Sequence, residues 1–387
     1  MNPLARFYSR FRVGERVLLT GHSHQAWPDA GFDGQQQAWL DAAEFVDDKW
    51  GRAEAQAAAV REGFARLLGD RPQHIALGQN THELVARWLS ALPLASRPGI
   101  VSTDGEFHSL RRQLDRLGEE PFLDIVRVAA RPVESLAERL AAAVTDRTAG
   151  VLVSSVLYET AERVPHLDHV ADACRRVGAA LMVDAYHHLN VIPFDVQALG
   201  IADAFITGGG YKYCQLGEGN AFLRVPEGCR MRPLLTGWFA EFEGLADAPD
   251  GQVRYGPGAA AFAGATYDPT SHYRAAAVFR FHEEQGLTAQ RLHEINRRQA
   301  GMLLEGIQAL DLDPATLAPI DVPADRRGGF VAVRAQDAAS LSRRLKDASV
   351  QTDARGQVLR LGPAPYVDDD QLRRAIDALG TIAGGRS

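Results

Sequence analysis

The stretch Ile206-Thr207-Gly208-Gly209-Gly210-Tyr211-Lys212-Tyr213 follows an apolar run, residues 202–205, that is typical of the end of a buried strand. Three successive glycines allow the backbone to turn tightly and to approach a ligand. A lysine amine that is withdrawn from water has a lowered pKa and attacks aldehydes, so Lys212 is predicted to form a Schiff base with an aldehyde cofactor. A surface lysine in a glycine-rich turn is the alternative reading of this stretch.

The composition of the 387-residue chain is that of a globular protein long enough for two domains, with 46% hydrophobic and 24% charged residues. A net charge of −7 without a basic cluster argues against nucleic acid as a partner. Three cysteines are too few for a disulfide framework or a zinc site, so no metal is expected. Without a signal core or a membrane-spanning apolar run, we expect a cytoplasmic protein that binds a small molecule.

Strand and helix signals alternate through the first two thirds of the chain. Strands are predicted at 99–103, 149–154 and 179–184, with helical segments between them and a further strand before the lysine. This pattern predicts an α/β fold with a mostly parallel central sheet and helices on both faces. Asp184 and Lys212 are 212 − 184 = 28 residues apart, about one crossover, so both are expected at the carboxyl edge of the sheet.

The last third of the chain predicts a smaller α+β domain. A glycine- and alanine-rich stretch, residues 251–265, is interpreted as an irregular connection between the domains. Beyond it we predict strands at 330–333 and 358–361 and helices at 338–348 and 368–382. The large domain is assigned to residues 41–261, and the small domain to residues 1–40 together with 262–387.

Five features of the sequence together match the needs of pyridoxal phosphate (PLP). This cofactor requires an amine for its aldehyde, an anion for its ring nitrogen, donors for its phosphate, a ring that stacks on it and a cation for the substrate carboxylate. A predicted helix start at Asn80 and Thr81 offers phosphate donors, since backbone amides and hydroxyls converge there. The other four needs are met by Lys212, Asp184, His108 and Arg360.

Several motifs resemble those of kynureninase, a member of the class V aminotransferase group of fold type I PLP-dependent enzymes. They are Val183-Asp184-Ala185-Tyr186-His187, Gly210-Tyr211-Lys212-Tyr213, Gly237-Trp238-Phe239, Leu359-Arg360-Leu361-Gly362-Pro363-Ala364-Pro365-Tyr366 and the N-terminal Gly21-His22-Ser23. The resemblance spans nearly the whole chain and implies the fold type I PLP-dependent transferase fold. It also implies a homodimer with shared active sites, in which Trp238 reaches the partner subunit's cofactor.

The resemblance assigns roles to individual residues. Lys212, Asp184 and Tyr211 would be catalytic, with Lys212 carrying the cofactor, Asp184 pairing with the ring nitrogen and Tyr211 reaching the phosphate. Cofactor contacts would come also from Asn80, Thr81, His108, His187, Trp238 and Thr270, and substrate contacts from Arg360, His22 and Asp268. Arg360 would bind the α-carboxylate through two parallel hydrogen bonds, a bidentate geometry that a lysine does not match as well.

The chemistry implied by the resemblance is hydrolysis of the Cβ–Cγ bond of kynurenine or a related keto amino acid, giving L-alanine and an anthranilate-type acid. Asp268 stands where the family usually has Asn or Thr, and Arg111 where it has Asp, so the substrate and its aryl group stay open. A class V aminotransferase or a Cβ lyase is the alternative within PLP chemistry. A cysteine desulfurase is disfavoured because no cysteine follows Cys229.

A different class of protein is also considered, namely a catalytically silent relative that keeps the fold and serves a regulatory or binding role. Such a relative has no need of the reactive amine. The presence of Lys212 therefore argues against it.

Overall fold

The computed structural model describes residues 2–245 and 251–384, and the structural statements below refer to these residues. Its strands are β1 (Val17–Leu18), β2 (Ile75–Gly78), β3 (Gly99–Thr103), β4 (Asp124–Val128), β5 (Thr148–Ser154), β6 (Ala180–Asp184), β7 (Phe205–Gly209), β8 (Ala221–Arg224), β9 (Leu317–Pro319), β10 (Val331–Ala335), β11 (Val350–Gln351), β12 (Asp353–Arg355) and β13 (Val358–Leu361).

The α-helices are α1 (Asp29–Phe45), α2 (Trp50–Leu68), α3 (Thr81–Ala91), α4 (His108–Gly118), α5 (Leu136–Ala143), α6 (Leu167–Val177), α7 (Thr270–Glu284), α8 (Ala289–Ala309), α9 (Ala338–Asp347) and α10 (Asp369–Ala383). Short 3-10 helices cover Pro3–Phe11, Pro72–His74, Val133–Ser135, Trp238–Gly244 and Gly258–Phe262. Within the described residues, no helix is both long and apolar enough to cross a membrane.

The large sheet has seven strands in the order β2-β8-β7-β6-β5-β3-β4. Neighbours from β4 to β7 run parallel, whereas β8 pairs antiparallel with both β7 and β2. The mostly parallel sheet predicted from the sequence is therefore confirmed. Because parallel strands end at the same edge, the residues that follow β3, β5, β6 and β7 meet there.

Both faces of the sheet are covered by apolar side chains. Along β5, Val151 and Val153 belong to the cluster that includes α5 and α6, whereas Leu152 belongs to the cluster that includes α3 and α4. Side chains alternate across a strand, so two covered faces require an unbroken apolar run. This requirement explains why the predicted strand at 149–154 shows no polar alternation.

The smaller unit is built on a four-stranded antiparallel sheet of order β12-β13-β10-β9. Helices α8, α9 and α10 contribute apolar side chains to its core, and so does the N-terminal segment through Val17 and Leu18. Strand β1 pairs in parallel with β11, which joins the N-terminal segment to this unit. The predicted second, smaller α+β domain is confirmed.

Helix α7 joins the two cores. Ala275, Ala276 and Val278 pack in the core of the large sheet, and Phe281 packs in that of the small unit. The stretch expected to be an irregular connection is more ordered than that, because its 3-10 helix Gly258–Phe262 buries the ring of Phe262 against the large sheet. The proposed limits of the two domains stay a prediction.

Candidate active site

A cavity of about 310 Å³ lies at the carboxyl edge of the large sheet. Residues from four chain segments line it, among them Asn80, Thr81, Phe107, Asp184, His187 and Lys212. Its volume falls at the lower end of the roughly 300–1,000 Å³ that is usual for small-molecule sites. The crossover spacing between Asp184 and Lys212 therefore does bring both side chains to the same cavity.

Lys212 is held in a pocket of aromatic rings. Its side chain is only 4% exposed, and Nζ lies 4.7 Å from the ring centre of Tyr186 and 5.2 Å from that of Phe107. Nζ is also 2.8 Å from Nε2 of His187, within hydrogen-bond distance. Burial lowers the pKa of Lys212 to about 7, and the Asp184 carboxylate opposes this shift. Near neutral pH a large share of the amine is therefore unprotonated and nucleophilic.

The glycines before Lys212 have a role other than the predicted tight turn. Gly208 and Gly209 lie within β7, and none of the three glycines adopts a positive φ. A Cβ on Gly209 would lie 2.4 Å from Oη of Tyr186, and one on Gly210 would lie 2.6 Å from Cβ of Leu216. Close packing of neighbours against the backbone, rather than an unusual dihedral angle, requires glycine here.

Asp184 is the last residue of β6 and is buried at the floor of the cavity. Burial raises the pKa of Asp184, while a hydrogen bond of 2.8 Å from the backbone N–H of Tyr186 and the positive charge of Lys212 act in the opposite direction. A protonated pyridine nitrogen placed against this carboxylate would offset the cost of burying it. The residue fits the predicted role of partner to the ring nitrogen.

The start of α3 faces the cavity and offers backbone donors. Asn80 caps the helix, because its Oδ1 accepts a hydrogen bond of 3.0 Å from the N–H of Glu83. Thr81 is the first helical residue, and both residues line the cavity. The free N–H groups and the dipole of an 11-residue helix favour a phosphate at this end. Amine, carboxylate and helix start thus fit the three polar groups of PLP.

Phe107, rather than the following His108 that sequence reasoning selected for stacking, is the aromatic residue after β3 that lines the cavity. Phe107 lines the cavity, whereas His108 does not, and its ring lies 5.5 Å from that of Tyr158. Nδ1 of His108 is 3.3 Å from Nη2 of Arg111. Two aromatic residues follow each other after β3, and the sequence alone does not indicate which of them faces the cavity.

Tyr211 is sandwiched between two rings at the side of the cavity. Its ring centre is 4.9 Å from that of Tyr186 and 4.8 Å from that of His24. Burial raises the pKa of Tyr211, so its hydroxyl stays protonated at neutral pH and can donate a hydrogen bond. This position agrees with a contact to the cofactor.

Arg360 is not free to receive a ligand. The residue is 2% exposed. Nη1 donates a hydrogen bond of 2.6 Å to the backbone carbonyl of Tyr158, and Nη2 donates to Oδ2 of Asp353. Asp353 lies directly opposite Arg360 in the β12–β13 pairing. Sequence reasoning missed Asp353, although the hairpin spacing around Gly356 placed it across from the arginine.

His22 lies beside this ion pair and is completely buried. Its Nε2 is 3.6 Å from Oδ2 of Asp353, and its ring centre is 4.6 Å from that of Phe330. Burial lowers the pKa of His22 to about 3, so the imidazole is neutral. The structure therefore places His22 against the carboxylate partner of Arg360, and not in the lining of the cavity.

Three further predicted residues lie outside the cavity lining. Trp238 is 44% exposed, and its Nε1 donates a hydrogen bond of 3.3 Å to Oγ1 of Thr266. Oδ1 of Asp268 accepts hydrogen bonds from the N–H and the hydroxyl of Thr270 at the start of α7. Burial raises the pKa of Asp268, but the two bonds from Thr270, together with Arg274 and His272, outweigh it, so the pKa is lowered and the carboxylate is charged.

Glu106 is a second buried carboxyl group that sequence reasoning did not single out. Its Oε1 accepts a hydrogen bond of 2.7 Å from the Thr103 hydroxyl, and its Oε2 accepts one of 2.5 Å from the Ser154 hydroxyl. Burial raises the pKa of Glu106 to about 7, and the nearby Asp184 carboxylate adds to this effect. Two acids thus share the carboxyl edge of the sheet, and their charges oppose each other.

Comparison with known proteins finds similarity to kynureninase and to two other enzymes. Residues 302–379 match the family described as the kynureninase C-terminal domain. A kynureninase of Geobacillus thermodenitrificans (strain NG80-2) is 25% identical over 388 residues, covering 95% of this chain and 84% of the relative. Isopenicillin N epimerase of Streptomyces clavuligerus is 28% identical, and the uncharacterized aminotransferase YcbU of Bacillus subtilis (strain 168) is 25% identical; each match covers 89% of this chain and 88% of the relative.

The fold is confirmed by solved structures. A C-DES variant with glycine covalently linked to its PLP cofactor superposes with a TM-score of 0.85 at 16% identity, covering 98% of this chain and 99% of that chain. The fold type I fold implied by the motifs is thus confirmed, and the motif resemblance to kynureninase agrees with the match of residues 302–379 and with the similarity to the Geobacillus kynureninase. The individual site residues stay predictions.

Proposed function

We propose that this chain, whose residues 302–379 resemble the C-terminal domain of kynureninase, is a PLP-dependent enzyme that acts on an amino acid. One observation carries the proposal: a buried amine and a buried carboxylate, those of Lys212 and Asp184, line one cavity together with the start of α3. PLP, when bound, supplies an aldehyde that condenses with amines and a ring that withdraws electrons from the substrate Cα.

Each side chain around the cavity has a different role in binding the cofactor or in moving the proton. Lys212 provides the amine that holds the cofactor and, once displaced, takes the Cα proton on Nζ as a general base. His187 stays neutral, because burial and the charge of Lys212 lower its pKa, and its Nε2 lies within hydrogen-bond distance of Nζ. Asp184 keeps the ring nitrogen protonated. The helix start at Asn80 and Thr81 binds the phosphate.

The specific reaction we propose is hydrolysis of the Cβ–Cγ bond of kynurenine or a related keto amino acid, with L-alanine and an anthranilate-type acid as products. The match of residues 302–379 to the kynureninase C-terminal domain supports it, since this region carries Arg360, the proposed ligand of the α-carboxylate. A guanidinium binds a carboxylate with two parallel hydrogen bonds and thereby fixes its orientation.

A class V aminotransferase or a Cβ lyase is the second candidate. The relatives named as an aminotransferase and as an epimerase each match 89% of this chain. Sequence similarity alone therefore does not favour one reaction over the others once the Cα proton has been removed. All of these reactions need the same amine and the same carboxylate. They differ in which bond breaks next, so their products distinguish them.

We further propose a cytoplasmic homodimer with shared active sites. Large apolar side chains are exposed close to Trp238 in the sequence, among them Leu234 at 84% and Phe242 at 60%. An exposed apolar group of this kind is typical of a surface that a partner covers. Light scattering on the purified protein tests the dimer, and a monomer that is fully active would contradict shared sites.

The decisive experiment is product analysis with the PLP-loaded protein. We expect kynurenine and 3-hydroxykynurenine to yield alanine together with an anthranilate, in equal amounts and without a keto acid acceptor. A reaction that requires a keto acid and converts it into an amino acid would instead identify an aminotransferase. A panel of cysteine-like amino acids that yields sulfide and pyruvate would identify a lyase.

A further inference from the structure

The guanidinium of Arg360 already binds a carboxylate that belongs to the chain itself. Asp353 accepts from Nη2, the Tyr158 carbonyl accepts from Nη1, and Nε is buried without a hydrogen-bond partner. The cavity at Lys212 is lined by His187 and by other described residues, but Arg360 does not line it. Both terminal nitrogens of Arg360 are therefore occupied by the chain itself, and a substrate carboxylate that binds there has to replace Asp353.

Asp353 has a second arginine to hold it. Its Oδ1 lies 3.1 Å from Nη1 of Arg355, which is 44% exposed and belongs to the same strand, β12. Burial raises the pKa of Asp353, but His22, Arg360 and Arg355 together lower it well below its usual range. The carboxylate is thus charged and shared between one buried and one exposed guanidinium. If Arg360 is taken by another anion, Arg355 remains to neutralise Asp353.

On its other side, Asp353 contacts the buried ring of His22. His22 packs its buried ring against Phe330, and an added Cβ on Gly362 would lie 2.3 Å from Nδ1 of His22. The imidazole therefore has little room to move. Asp353 thus lies between the buried ring of His22 and the half-exposed guanidinium of Arg355, and the latter is the contact that it can keep when it leaves Arg360.

We propose that Asp353 is a displaceable carboxylate that sets the affinity and the specificity of the site for the substrate's α-carboxylate. In this exchange the ionised carboxylate of an amino acid replaces Asp353 on Arg360, and Asp353 stays bound to Arg355. The inference rests on the proposed function, in which Arg360 binds the α-carboxylate.

Such an exchange selects substrates by charge. One carboxylate replaces another on Arg360, so the buried guanidinium is never left unpaired, a state that is strongly unfavourable. If a neutral amide or ester replaced Asp353, the positive charge of the guanidinium would be buried without an anion beside it. The site is therefore expected to bind free amino acids and to reject their amides and esters, at the cost of some affinity for every substrate.

The test measures carboxylate binding by the PLP-loaded protein without turnover. Propionate serves as the probe, because it has a carboxylate but no amine, and propionamide is its neutral counterpart. Ligand binding stabilises the folded state by an amount that grows with the logarithm of one plus the ratio of ligand concentration to Kd, so the rise in unfolding temperature, measured over a series of concentrations, gives the Kd of each compound. We expect Asp353→Asn to bind propionate about five-fold more tightly than the wild type and to show no gain for propionamide.

The sign of this effect separates displacement from a merely structural role. If Asp353 only held Arg360 in position, its loss would weaken propionate binding and raise the KM for the amino acid. Under the proposal the KM falls by about the same five-fold and kcat changes little. Equal or weaker propionate binding by a folded Asp353→Asn variant would overturn the inference.

Arg355→Gln provides an independent arm, since Arg355 is 44% exposed and the loss of a half-exposed ion pair is expected to cost little stability. It removes the alternative partner of Asp353, so propionate should bind about five-fold more weakly. In the double variant Asp353→Asn, Arg355→Gln, the loss of Arg355 should not weaken propionate binding any further, because Asp353 is already neutral. A general loss of positive charge would weaken binding in both backgrounds.

Arg373→Gln removes an exposed arginine of an unrelated ion pair with Asp370 and is the matched control. Additive single effects would contradict the exchange.

Arg360→Lys distinguishes failure of this inference from failure of the proposed function. If Arg360→Lys abolishes the propionate-induced shift while Asp353→Asn and Arg355→Gln behave as the wild type, the arginine binds the carboxylate and Asp353 does not compete. If Arg360→Lys leaves the shift unchanged, the proposed role of Arg360 is itself wrong.

Discussion

Nζ of Lys212 lies 2.8 Å from Nε2 of His187, and both side chains are buried. Burial lowers the pKa of each group, and the lysine charge further lowers that of the histidine. A neutral imidazole can accept a hydrogen bond from the amine, so it orients Nζ without adding positive charge. The pair therefore presents a nucleophile of low pKa in a fixed direction.

Replacing Lys212 by alanine is expected to remove the covalent attachment of the cofactor. Borohydride reduction of the PLP-loaded wild type should leave the cofactor on the chain, and mass spectrometry should locate it at Lys212. The variant should gain no mass under the same treatment. Lys346→Ala, which changes an exposed lysine, is the control. Attachment that persists in Lys212→Ala would rule out this residue as the cofactor lysine.

Asp184→Asn is expected to lower kcat by about 10²-fold, because a neutral amide does not hold the ring nitrogen protonated. The variant should still bind PLP through Lys212, so borohydride trapping separates loss of activity from loss of cofactor. Asp347→Asn, at an exposed position at the end of α9, provides the comparison. Unchanged turnover in Asp184→Asn would be incompatible with its proposed role.

The rate at which the cofactor-free protein captures PLP should depend on the protonation of Lys212. Only the neutral amine attacks the aldehyde, and its pKa is lowered to about 7 by burial. The rate should therefore rise about ten-fold from about pH 5 to pH 6 and level off above about pH 8. Stopped-flow absorbance measures it. A rate that keeps rising to about pH 10 would indicate an ordinary, exposed lysine.

Glu106→Gln is expected to change how stability depends on pH. The pKa of Glu106 is raised to about 7 in the folded protein, so between its unfolded pKa of about 4.3 and that value the folded state binds more protons. The contribution of this group to stability is therefore present at low pH and is lost as the pH rises to about 7.

The neutral glutamine has no such dependence, so the unfolding temperature of Glu106→Gln relative to the wild type should rise between about pH 5 and pH 8. Thermal unfolding followed by circular dichroism measures this difference. A difference that stays constant over this range would show that Glu106 has an ordinary pKa.

Much of the fold followed from local patterns. Unbroken apolar runs such as residues 149–154 predicted strands that are covered on both faces, and the spacing between Asp184 and Lys212 predicted that they share one edge. The glycines before Lys212 do not form the tight turn that the sequence predicts. The sequence marks these positions as glycines. The reason for them is that Tyr186 and Leu216 pack directly against the backbone, and this contact forms only in the folded chain.

The sequence by itself determined the mostly parallel sheet and the meeting of Asp184 and Lys212 at its carboxyl edge, because strand periodicity and crossover length are local properties of the chain. Only the tertiary structure decided that Phe107, and not His108, faces the cavity, and that Asp353 occupies the guanidinium of Arg360. Side-chain direction and charge pairing depend on what packs against a residue, and distant segments such as the one with His22 supply those neighbours.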